Sequence, residues 1–178
     1  MPVYPIKKYP DPVLRREALE VEGVGPAERK ILARMAETMY SFGGIGLAAP
    51  QVGINKQFIV ADVGRGIIKL VNPRIISQEG ESKMEEGCLS IPGVSLQIKR
   101  ARRVVVGGLN EKEKEVKISA EGLLAHVLQH EIDHLKGVLI IDRADEGEKE
   151  KFKPRLTQLE REFESYYLLP EARNFVSK

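Results

Sequence analysis

The chain has 178 residues, 42% of them hydrophobic, which suits one domain with its own core. Its 28 basic and 26 acidic residues leave a net charge of +2, so no overall field recruits nucleic acid or a membrane surface. The N-terminal MPVYPIKKYPDPVL lacks an apolar run of signal-peptide length, no stretch approaches the roughly 18 apolar residues that span a bilayer, and the expectation is a soluble, non-exported protein.

Asp11-Pro12 is a helix-start signal, and it predicts a short helix that takes in Val13, Leu14, Ala18 and Leu19. Pro26 opens a second. Ile31, Leu32, Met35, Met39 and Phe42 recur at helical spacing, predicting an amphipathic helix over 26–42 that stops at Gly43-Gly44. Short β-rich runs follow at Phe58 to Val60, Ile67 to Val71 and Val104 to Val106, with Lys114 to Ile118 expected to pair back antiparallel. Ser119 is read as the cap of a buried helix starting near Ala120. Leu123, Leu124, Val127, Leu128, Ile132 and Leu135 give that helix a wide apolar stripe, and Gly137 ends it. Val138 to Ile141 reads as strand. Beyond the polar DRADEGEKEK, the positions of Leu156, Leu159 and Phe163 predict a C-terminal helix to about Tyr167, its start blurred by Pro154. No repeat or linker divides the chain, and the pattern indicates an α+β fold in a single domain over 1–178.

The strongest chemical signal is His130-Glu131-Ile132-Asp133-His134 within the buried helix. Four residues advance a helix by about 400°, so the two imidazoles share a face and can share a metal. Glu131 then stands where a general base reaches an activated water, and the pattern specifies hydrolysis. Two histidines can fall four apart by chance, but imidazoles on a buried helix are costly unless something binds them. A catalytic metal needs a third protein ligand and an open position. The His-x-x-Gly-x-x-His continuation of one peptidase class is excluded because Ile140 occupies its last position. Glu146, Glu148 or Glu150 could each complete a metallopeptidase site. Cys88 is the better candidate, as a soft thiolate ligand within Glu86-Gly87-Cys88-Leu89-Ser90. As the single cysteine it cannot form an internal disulfide. A Cys-His nucleophilic hydrolase is the alternative, and it leaves the paired histidines and Glu131 without a shared purpose. A third segment, Gly44-Ile45-Gly46-Leu47-Ala48-Ala49-Pro50-Gln51, is either a tightly packed turn or a place where substrate backbone approaches closely, with Gln51 as an oxyanion donor.

Together, GIGLAAPQ at 44–51, EGCLS at 86–90 and QHEIDHL at 129–135 resemble, in order and spacing, the three signature motifs of the peptide deformylase family. The resemblance runs from Lys8-Tyr9-Pro10-Asp11-Pro12 through Ile141-Asp142-Arg143 and leaves 144–178 as a variable C-terminal extension. It implies small antiparallel or mixed sheets around a central HEIDH helix. It also implies Cys88, His130 and His134 as metal ligands, Glu131 as the proton carrier, and Gln51 with the Leu89 N–H as oxyanion donors. The substrate pocket is implied to include Gly44, Ile45, Gly46, Met84, His126 and Val127. The implied metal is Fe2+, with zinc, nickel or cobalt tolerated. The implied substrates are N-formylmethionyl nascent polypeptides, in the cytoplasm or an organelle, with ribosome contact through 144–178 unread. At His126 the sequence departs from the resemblance, since that place is usually apolar. The ring either polarises the methionine pocket or turns away to hydrogen-bond at the surface. A metallopeptidase, or an inactive relative that keeps its metal, are the competing functions.

Overall fold

The computed structural model describes residues 2–168, in which seven strands form two antiparallel sheets and the helix bearing both metal-spaced histidines reaches each of them. In chain order the elements are α1 (Pro26–Ser41), β1 (Gly46–Ala48), β2 (Phe58–Ala61), β3 (Ile68–Glu79), β4 (Ser82–Gly87), β5 (Ser95–Arg100), β6 (Arg103–Leu109), β7 (Glu115–Glu121), α2 (Leu123–Leu135), α3 (Ile140–Arg143) and α4 (Glu146–Leu168). The larger sheet has the order β1-β2-β3-β6-β7, and β4 with β5 forms a separate hairpin. This is the expected α+β class.

The period of two in β2 divides the core. Ile59 and Ala61 face α2, joining Leu70, Val104, Val106, Ala125, Leu128 and Ile132 in one buried cluster. Phe58 and Val60 face the other way, onto Leu32, Met35 and Met39 of α1. The sheet is thus packed on both faces. A third cluster under the hairpin joins Leu96 and Ile98 of β5 to Leu14, Leu139, Ile140 and Leu159. Each fully buried side chain of this size contributes about 1.5–3 kcal/mol relative to exposure.

Several boundaries differ from those the sequence predicts. The first helix is a single 3-10 turn, Pro12–Arg15, capped by Asp11, which accepts from the Val13 N–H. Leu19 lies beyond it, in an isolated bridge with Lys56. Ser119 and Ala120 cap no helix: they pair with Val105 and Val104 as part of β7. The break comes at Gly122, whose φ of 62° lies in the left-handed region that favours glycine. The run Val138 to Ile141 is mostly β-branched but holds no strand. Asp142 accepts from the Leu139 N–H at 2.7 Å and turns it into the short helix α3. The C-terminal helix begins as early as Glu146, where Asp145 accepts from the Glu148 N–H at 2.9 Å. Pro154 sits inside this helix without ending it.

Candidate metal centre and its cavity

Helix α2 places His130 and His134 one turn apart, with ring centroids 4.9 Å from each other and Nε2 atoms 3.2 Å apart. Cys88 follows β4 directly, and its Sγ lies 3.3 Å from His134 Nε2. One ligand atom from each of Cys88, His130 and His134 falls within 4.8 Å of the others. Glu146, Glu148 and Glu150 are not in this group.

The donor chemistry fits a divalent cation. Glu86 accepts from His130 Nδ1 at 3.0 Å, which leaves Nε2 of a neutral ring as a bare lone pair pointing at its neighbours. His134 is buried, and its Nδ1 has no partner among the described residues. Burial holds the His134 imidazole well below its ordinary value. Burial also works against charge on His130, but the hydrogen bonds of Cys88 and Glu86 and the charge of Glu131 carry it well above. Two imidazole nitrogens and a sulfur in mutual contact repel as lone pairs unless they share something positive.

Behind the ligands stands a buried ionic lattice. Arg100 donates to Glu86 from Nε at 2.6 Å and from a terminal nitrogen at 2.9 Å, and to Asp133 at 2.8 Å. Asp133 also accepts from Arg143 at 2.7 Å and 3.1 Å. Burial would raise the Glu86 carboxyl, but the hydrogen bonds from His130 and Arg100 and the Arg100 charge overcome it and bring Glu86 down to about 2. Glu86 and Asp133 lie within the sequence motifs, Glu86 near the end of β4 and two residues before Cys88. Arg100 carries no local signal, because its role exists only where the hairpin meets α2.

Glu131 has the opposite environment. Its carboxyl is buried, Oε2 has no hydrogen-bond partner among the described residues, and burial pushes it up to about 7. It faces Gly46, where a Cβ would overlap Glu131 Oε1 and stand 2.8 Å from Val127 Cγ1. Gln51 is fixed by its own backbone: Oε1 accepts from the Ala48 N–H at 2.8 Å, so the amide NH2 faces Ser90 Oγ at 3.2 Å and Cys88 Sγ at 3.5 Å.

Gln51, Glu86, Cys88, His130 and Glu131 open on one cavity of about 490 Å3. Gly44, Ile45, Gly46, Met84, His126 and Val127 line it, together with Gln51, Cys88, Leu89, His130 and Glu131. Ile91, Val94 and Leu123 add apolar wall that no sequence motif marks. His126 corrects one expectation. The ring does not turn to the surface: it is buried at the cavity edge, with Nδ1 2.8 Å from Glu86 Oε1 and Nε2 2.7 Å from Ser82 Oγ.

Comparison with known proteins agrees with this geometry. The polypeptide deformylase family profile matches residues 3–150. A peptide deformylase of Carboxydothermus hydrogenoformans is 50% identical over 145 residues, covering 82% of this chain and 95% of that protein. The crystal structure of the Thermotoga maritima peptide deformylase superposes with a TM-score of 0.79 at 44% identity, over 82% of this chain and 99% of that one. The Thermus thermophilus peptide deformylase gives a TM-score of 0.84 at 38% identity, over 90% of this chain and 99% of the other.

Proposed function

The chain belongs to the polypeptide deformylase family, and on that premise we propose how its residues divide the work of a metal-dependent hydrolase that removes the formyl group from N-terminal formyl-methionine. Cys88, His130 and His134 hold the metal. What a divalent ion supplies at such a site is positive charge that acidifies water near neutral pH and polarises a carbonyl. Glu131 takes the proton of the attacking water and returns it to the departing amine, a part suited to a carboxyl raised to about 7. The Gln51 NH2 and the Leu89 N–H donate to the oxygen on which negative charge develops. Gly44, Ile45, Gly46, Met84, His126 and Val127 form the wall that receives the methionine side chain and excludes water. Formate and a free N-terminal amine leave.

The observation that carries this reading is the convergence of Cys88, His130, Glu131 and the Gln51 amide on one apolar-walled cavity, with His134 completing the Cys-His-His donor group. The metal is proposed to be Fe2+, by likeness to the family, since the same ligands also suit zinc, nickel or cobalt. Nascent chains as substrates support a location in the cytoplasm, or in an organelle that makes protein, close to the ribosome. No helix among the described residues is long and apolar enough to cross a membrane. One catalytic domain over 1–178 is supported by Leu156 and Leu159 of α4 packing into the cluster beneath the hairpin.

The test is formate release from a formyl-Met peptide by anaerobically purified protein of measured metal content, beside cleavage of an unformylated peptide. Formate release alone is expected. Peptide-bond cleavage would point to a metallopeptidase, and neither product to an inactive relative. The iron form should lose activity in air while the zinc or nickel form survives, since an open Fe2+ site beside a thiolate is prone to oxidation. Equal half-lives with and without oxygen would remove the case for iron.

A further inference from the structure

His126 is only part of the cavity wall in the reading above, yet it is 1% exposed and both of its ring nitrogens have partners. Its neighbour Glu86 is held by Arg100 through two hydrogen bonds, of 2.6 Å and 2.9 Å, and is therefore a carboxylate that can only accept. The hydrogen between Glu86 and His126 thus belongs to His126 Nδ1. In the neutral ring that leaves Nε2 to accept from the Ser82 hydroxyl, 2.7 Å away at the start of β4.

The same carboxylate also serves His130. Oε1 takes His126 Nδ1 at 2.8 Å and Arg100 Nε, while Oε2 takes His130 Nδ1 at 3.0 Å and the Arg100 terminal nitrogen. Four donors fill the four acceptor sites that a carboxylate offers. The two histidines are one turn apart on α2, so a single carboxylate from β4 reaches both rings. Removing the donor at Oε1 leaves that oxygen with Arg100 Nε alone, so the set of the carboxylate is fixed by Arg100 and His130 only and Oε2 is held less closely against His130.

We propose that His126 is a positioning residue for the metal centre: tethered by Ser82, it locks the Glu86 carboxylate so that Oε2 fixes His130 with Nε2 toward Cys88 and His134. The inference rests on the reading of Cys88, His130 and His134 as ligands and gives His126, beyond its place in the cavity wall, a second role that involves no bond to the metal. It also accounts for a histidine at a place the family resemblance marks as apolar, since with both nitrogens occupied the ring offers no free polar atom to a methionine side chain.

Two amides of similar character separate the ring's two bonds. His126→Asn puts a donor where Nδ1 stands and keeps the Glu86 bond, whereas His126→Gln reaches the Nε2 position and keeps only Ser82. Zinc affinity of the full-length protein is measured by chelator competition, and the absorption bands of the cobalt form report the ligand field. We expect His126→Gln to weaken zinc about tenfold, the lower end of what outer partners of metal-bound histidines contribute, and to shift the cobalt bands. His126→Asn should stay within about threefold of wild type, with unshifted bands. Equal zinc affinities and equal spectra for the two variants would overturn the proposal. Cys88→Ala serves as the control on the premise. If it still binds zinc tightly, the ligand assignment itself fails. If it loses zinc while the two amides behave alike, only the role of His126 falls.

Discussion

Glu131 has room for its carboxyl because residue 46 has no side chain. A Cβ on Gly46 would overlap Glu131 Oε1 and press on Val127, so Gly46→Ala must move the carboxyl while leaving all three metal donors in place. A displacement of about 1 Å in a reacting group can cost about 100-fold in rate, and loss of a general base costs roughly 10²–10⁴-fold. Gly46→Ala should therefore lower kcat by about 100-fold and Glu131→Ala by at least as much, both with full metal content. Turnover near wild type in metal-replete Gly46→Ala would show that Glu131 is not confined as described. At this scale the sequence is informative where a residue type carries its own chemistry. Cys88, the two histidines, Glu131 and Gln51 each stand out by type and spacing; in the fold Cys88, His130, Glu131 and Gln51 line one cavity, and His134 joins Cys88 and His130 in one donor group. Glu86 and Arg100 do not stand out, since their function is to satisfy groups on another element.

The elements are legible where one periodicity runs unbroken. Helix α1 can be read to within a residue because Leu32, Met35 and Met39 form a continuous buried stripe. The β4–β5 hairpin escapes a reading by pattern although Leu96, Ile98 and Arg100 alternate inward, because charged residues dilute the pattern and Arg100 is a buried charge in an apolar position. The sequence sets the start of α2 too early because Ser119 is a good cap in isolation, while its pairing with Val105 is a tertiary fact. For α4, Pro154 hides the start. Its missing N–H costs a hydrogen bond, but the turn before it holds the exposed Glu150, where water can satisfy the backbone. What holds α4 is packing. Leu159 is 3% exposed against the cluster containing Ile91, Val94, Leu96 and Ile98, and Arg155 Nε donates to the Pro92 carbonyl at 2.9 Å. Leu159→Ala should cost about 2–4 kcal/mol in urea unfolding, and a loss under about 1 kcal/mol would mean that α4 is only loosely applied to the hairpin.

Across the whole molecule, the proposed metal site is a junction between elements that the apolar clusters hold separately. Cys88 leaves the β4–β5 hairpin, His130 and His134 belong to α2, and Gln51 closes the site from the 3-10 turn Ala49–Val52 after β1. A metal bound by the folded state alone stabilises it by about 3–4 kcal/mol at 100–1,000 times Kd. For a chain of this size each kcal/mol moves Tm by about 2–4 °C. Chelation should therefore lower Tm by about 6–16 °C. The far-ultraviolet circular dichroism should stay unchanged, because the sheet and its two helical faces rest on clusters of apolar side chains rather than on the donors. Cys88→Ala should begin at the lower Tm and respond to neither chelator nor added zinc, whereas Glu131→Ala should retain the full shift, since it gives the metal no donor. An unchanged Tm on chelation of the wild type would mean that the three donors do not grip a metal. Loss of all secondary structure on chelation would mean that the ion organises the fold itself, and that the division between a preformed scaffold and a metal set into its seam is wrong.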